Sequence, residues 1–163
     1  MEEFLVFFLS IIVFFTVINK VYRKGDVVSI RSTVDNQIYI VRKLPDAKKA
    51  ANKLAEINKK VLLLIGSINR DKEGSDDLIN NYNPNTLSET LPGSKYTSYS
   101  VNKGEKISIC IRDIEDETFI DDNTVLFVAI HELSHIMTHE VGHTPLFWNN
   151  MKYLLEVGEQ IGI

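Results

Sequence analysis

All four histidines of this 163-residue chain fall in thirteen consecutive positions, the stretch HELSHIMTHEVGH at 131–143. That stretch constrains the fold more than any other. The residues leading into it, TVLFVAI, are apolar nearly all round, and a helix of that kind belongs inside a protein. Within the stretch lies H-E-x-x-H: His131, Glu132 and His135. Residues i and i+4 of a helix are separated by about 40° around its axis and about 6 Å along it, so the two imidazoles converge. Burying two histidines and a glutamate side by side is costly unless something pairs with them. Zn²⁺ is such a partner, taking imidazole nitrogens at about 2.0–2.1 Å. Glu132 borders the first of these ligands and can reach a water at the metal without ligating it, the general-base position of a zinc peptidase. The competing reading is a buried helix with hydrogen-bonded histidines, which must bury all three polar groups without an ion.

A third ligand has several candidates. His139 extends the series to i+8, but in a straight helix it lies about 12 Å along the axis from His131. It could join the other two only if the helix unwound. Glu156 and Glu159 could serve from a later helix. His143 follows Gly142, a helix terminator. It precedes Thr144-Pro145, an N-cap with proline at the first helical position. The spacing therefore predicts a tight turn between two helices that can return His143 to the metal. LFWNNMKYLLEVGEQI then reads as a closing helix with Phe147, Met151, Leu154 and Leu155 on one side.

The remaining pattern predicts an α+β fold with a small antiparallel sheet. DVVSIRST and NQIYIVRK are β-branched segments around the turn residues VDNQ, hence a hairpin over 27–42. Pro45-Asp46 opens a long helix whose Ala47, Ala50, Ala51, Leu54, Ile57, Val61, Leu64, Ile65 and Ile68 recur at core-facing spacing. Residues 71–95, rich in Asp, Asn, Ser, Gly and Pro, read as a long loop with one short helical turn. KYTSYSV and KISICIRD flank NKGE as a second hairpin, and Cys110 in ISICI reads as a buried strand residue. DETFIDDN lacks the spaced ligands and glycine of a calcium loop. It reads instead as an acidic loop capping the histidine helix through Asp122 or Asn123.

Residues 4–18, FLVFFLSIIVFFTVI, are apolar except Ser10 and Thr16. As a helix they cover about 22 Å, short for a bilayer core but sufficient if Met1, Val21 and Tyr22 extend the run. A signal peptide would want a positive start and a small-residue cleavage site, whereas the chain begins Met1-Glu2-Glu3. A core helix would need an apolar partner surface that the rest of the chain does not offer. The reading adopted is an uncleaved anchor with basic flank over residues 1–24, followed by a domain over 25–163. Lys20, Arg23 and Lys24 after the run put that domain on the cytoplasmic side, or inside an enveloped particle.

A net charge of −4 without a long basic run gives no nucleic-acid surface, so no direct nucleic-acid binding is expected. One cysteine allows no disulfide framework. HELSH followed by GH, three residues and FW resembles the WLM group of zinc metallopeptidases and their SprT-like relatives, in particular metallopeptidase-like proteins of large DNA viruses. The resemblance covers roughly residues 105–163. His143 occupies its third histidine, at a longer spacing than is usual in that group. It implies a zincin-like domain that hydrolyses peptide bonds, with Zn²⁺ on His131, His135 and His143 and Glu132 as general base. Protein or peptide would be the substrate, and residues 1–22 would contact the membrane. Tyr96, Tyr99 and Arg112 are candidates for the oxyanion partner, and strand 107–112 for aligning an extended substrate. The alternative is a non-catalytic membrane or virion protein whose zinc only staples the fold.

Overall fold

The structure, a computed structural model, describes residues 27–91, 94–95, 97–113 and 115–163. The expected anchor, residues 1–24, and Tyr96 lie outside these. No helix among the described residues is long and apolar enough to cross a membrane.

The first hairpin forms as its pattern predicts. Strands β1 (Val27–Arg31) and β2 (Ile38–Arg42) pair antiparallel, with Val28 opposite Val41. Alternation along β2 sends Tyr39 and Val41 into the core and leaves Ile38 and Ile40 outside. Helix α1 (Ala47–Ser67) carries the expected alanine and aliphatic stripe inward. One polar residue in that stripe, Asn58, is fully buried and satisfied. Its amide donates to the Tyr39 hydroxyl (2.9 Å) and its carbonyl accepts from the Tyr82 hydroxyl (2.6 Å).

Residues 71–95 hold more structure than a loop: α2 (Ser75–Asn81), a 3-10 turn (Pro84–Thr86) and strand β3 (Leu87–Glu89). The second hairpin, β4 (Tyr99–Val101) and β5 (Lys106–Ile109), is antiparallel as predicted. The sheet as a whole is mixed, correcting the antiparallel expectation. Its order is β1-β2-β3-β5-β4, and β3 is parallel to both neighbours. The cause is α1. A long helix between β2 and β3 carries the chain back to the end where β2 began, and only a parallel strand can follow. Strand 107–112 is accordingly no edge: β5 is interior, and among the described residues the edge strands are β1 and β4.

Helix α3 (Asp122–Met137) is capped by Asp121 rather than Asp122 or Asn123; the Asp121 carboxylate accepts the Thr124 N–H at 2.9 Å. Helix α4 (Pro145–Ile161) starts at Thr144, whose hydroxyl accepts the Phe147 N–H. Helices α1 and α3 pack together against the sheet, and α4 packs on both. Cys110 lies just past β5 and is half-buried, its thiol donating to the Arg112 carbonyl at 3.1 Å.

Candidate metal centre

Helix α3 ends at Met137, five residues before Gly142, so the predicted stop comes early. Neighbouring elements end it. The Thr138 hydroxyl donates back to the Ser134 carbonyl (2.7 Å). The Asn150 amide of α4 donates to the Met137 carbonyl (3.3 Å). Lys103, just past β4, donates to the carbonyls of Thr138 (2.6 Å) and His139 (2.7 Å). These groups satisfy carbonyls that a helix end leaves open. Gly74 (φ +83°) lies so close that a Cβ there would sit 1.9 Å from the Met137 carbonyl oxygen. The chain then turns through 138–144, with Gly142 at φ +88°.

That turn brings His143 back over α3. One ring nitrogen from each of His131, His135 and His143 lies within 4.8 Å of the others. His131 Nε2 and His143 Nε2 are 3.1 Å apart. Tetrahedral zinc with bonds of about 2.0–2.1 Å spaces its nitrogens about 3.3 Å apart, so this donor set fits the ion. Burial, followed by the neighbouring His143, lowers the His131 pKa. Burial first, and then the charges of His131, His143 and Lys103, push His135 down to about 4. Both are therefore neutral at pH 7, the form that ligates metal.

Phe147 supports all three rings. It is fully buried, with ring centroids 5.0, 4.4 and 4.7 Å from those of His131, His135 and His143. Trp148 lies on the outer side of His143 at 5.7 Å. In the sequence Phe147 belongs both to the closing helix stripe and to the FW of the motif. The fixed distance from His143 in the HxxxFW pattern is the signal for its supporting role.

Glu132 is only 5% exposed, on the side of α3 that faces β4. Burial raises its carboxyl pKa to about 7, against the opposing effect of a hydrogen bond from the Ser100 backbone N–H. The histidines and Glu132 open into a cleft of about 660 Å³, walled by Ser98, Tyr99 and Ser100 on one side and the 140–143 turn on the other.

The other candidates fall elsewhere. His139 is exposed, with Nδ1 4.0 Å from Glu73. Glu156 is exposed and pairs with Lys152 at 3.7 Å, and Glu159 is exposed too. Tyr99 lines the cleft. Arg112 does not, which removes it as an oxyanion partner. It is 3% exposed, with its Nε on Glu89 (2.8 Å) and a two-pronged bond to Asp46 (2.7 and 2.8 Å).

The comparisons agree with this geometry. The WLM domain pattern matches residues 33–162. An uncharacterized protein of Acanthamoeba polyphaga mimivirus is 31% identical over 147 residues, covering 86% of this chain and 75% of that protein. An uncharacterized protein of Invertebrate iridescent virus 6 is 32% identical over 83 residues, covering 50% of this chain and 46% of that protein. The crystal structure of Wss1 from Saccharomyces cerevisiae superposes with a TM-score of 0.59 at 25% identity, covering 76% of this chain and 90% of that one. With most of its length matched, and a metallopeptidase-like domain built around three convergent histidines, this chain belongs to the WLM family.

Proposed function

We infer that this protein is a membrane-anchored zinc metallopeptidase. The observation that carries the reading is the convergence of His131, His135 and His143 beside buried Glu132, all open to one cleft. The three imidazoles would hold Zn²⁺, which as a Lewis acid would polarise the peptide carbonyl and acidify water. Glu132 takes a proton from the attacking water and delivers it to the leaving amide nitrogen. Burial raises its carboxyl pKa and a bound Zn²⁺ would oppose that shift, so the group can both take and release the proton. Strand β4 stands at the sheet's edge and walls the cleft, so an extended peptide would lie along it across the histidines. Tyr99 stands on that wall as the oxyanion candidate.

A purely structural zinc would be closed by four protein ligands. Three histidines facing an open cleft, with a glutamate beside them, favour catalysis. Residues 1–24 would anchor the domain with its bulk on the cytoplasmic side or in a particle interior; the apolar run and the basic residues after it support this. The reading is tested by metal analysis of the purified protein together with casein hydrolysis. Bound zinc with turnover is expected; a protein that cannot be loaded with zinc sinks it.

A further inference from the structure

We propose that Lys103 is a positioning residue for the metal centre: by clamping the first residues of the 138–144 turn, it holds His143 in the donor set. This rests on the zinc reading above. Lys103 sits in the loop between β4 and β5. There the Gly104 N–H donates to the Val101 carbonyl at 3.2 Å, and Asn102 and Lys103 have φ of +45° and +52°. These are the positive φ values of a type I′ turn, whose second central position favours glycine. A lysine there adopts a left-handed conformation that its Cβ disfavours. Such strain persists only where the surroundings impose it. Here they are close: a Cβ on Gly104 would sit 2.5 Å from the Asn81 carbonyl oxygen at the end of α2 and 3.1 Å from the Ile136 side chain of α3. The loop is wedged against both helices, and the lysine is aimed from a fixed base.

Its partners lie on the turn. Helix α3 ends at Met137, and the Lys103 ammonium donates to the carbonyls of the next two residues, Thr138 (2.6 Å) and His139 (2.7 Å). The far end of the turn is fixed by the Thr144 cap of α4. Among the described residues, 140–143 are exposed and make no backbone-to-backbone hydrogen bond. A turn of that kind takes its course from its two ends. Lys103 fixes the near one with bonds from a charged donor, which are stronger than those between neutral groups. It also lines the cleft together with all three histidines. The clamp thus ties β4, which walls the cleft, to the turn that carries the third ligand. Partners one shell out from a metal set the geometry of its ligands, and their loss typically costs about 10–100-fold in affinity.

Three measurements on the full-length protein test this: zinc affinity by chelator competition, the visible absorption of the Co²⁺-loaded protein, and the Tm of the metal-free protein. Lys103→Gly suits the turn's backbone, so the metal-free Tm should stay within a few degrees of the parent while zinc affinity falls about 10–100-fold. Lys103→Met keeps the side chain's length and should weaken zinc likewise; it serves should the glycine variant fail to fold. Lys103→Arg keeps charge and donors and should restore most of the affinity. The Co²⁺ absorption should weaken in the Gly and Met variants as it does in His143→Ala. Because Lys103 acts through His143, adding Lys103→Gly to His143→Ala should cost little further affinity. Parental zinc affinity in the Gly and Met variants overturns the proposal and leaves the zinc reading intact, as does a loss that adds in full to that of His143→Ala. A loss of affinity that only follows a fall in metal-free Tm, without rescue by Arg, makes the lysine merely structural and overturns it too. A parent that binds neither Zn²⁺ nor Co²⁺ overturns both.

Discussion

Arg112→Met should destabilise the domain severely. Arg112 joins three elements: it pairs with Glu89 at the end of β3, with Asp46 at the start of α1, and lies 4.2 Å over the Phe119 ring. The substitution keeps apolar bulk and removes the charge. Glu89, whose side chain is 1% exposed, then retains only the Arg42 backbone N–H as a donor to its other oxygen. Removing one partner of a buried pair costs about 3–5 kcal/mol. For a domain of this size each kcal/mol moves Tm by about 2–4 °C, so a drop of about 6–20 °C is expected in thermal unfolding followed by circular dichroism. Replacing both partners, Arg112→Met with Glu89→Leu, should recover much of the loss, because no charge is left buried alone. Asp46 is about a third exposed and adds little at neutral pH. The hydrogen bond from Arg112 holds its carboxyl below the usual range. Its contribution is present above the unfolded carboxylate pKa and lost as pH falls through the folded one, so the single variant should lose part of the parent's acid sensitivity. Melting of the single variant within about 3 °C of the parent would mean that the buried pair contributes little to stability.

Three further outcomes follow from the same contacts. His143→Ala should weaken zinc binding strongly in chelator competition, and His139→Ala should change it little; equal affinity for His143→Ala and the parent puts the third ligand elsewhere. Gly74→Ala should lower Tm by several degrees and loosen the zinc. Its left-handed φ alone costs about 1–2 kcal/mol, and the new Cβ displaces the end of the helix that carries His135. Residues 1–22 should keep the full-length protein in the membrane fraction through carbonate extraction, and release into the supernatant contradicts the anchor.

Features written in local periodicity were legible in the sequence. The 27–42 hairpin, the stripe of α1, the hairpin at 99–109 and the two helices around the histidines all carry their own pattern. Strand β3 carries none. It has three residues, of which Ser88 and Glu89 are polar, yet all three are buried. Glu89 is tolerated there only because Arg112, 23 residues later, meets it in space. Missing β3 also hid the parallel pairing and the exchange of edge from β5 to β4. The end of α3 was misplaced for a similar reason: Lys103 and Asn150 stop it from outside, ahead of the glycine. His131 and His135 were legible because helix geometry alone brings i and i+4 together. His143 needed the turn, and its support by Phe147 appears only once α4 folds back.

In the proposed mechanism Glu132 moves protons in a zinc peptidase whose ligands are histidines. Glu132→Gln keeps the side chain's shape and removes the base. Zinc content and peptide hydrolysis measured together on the parent and this variant test the claim most directly. About one zinc per chain is expected in both proteins, with hydrolysis lost in the variant. Full hydrolysis by Glu132→Gln, or a parent that holds no zinc, would contradict it.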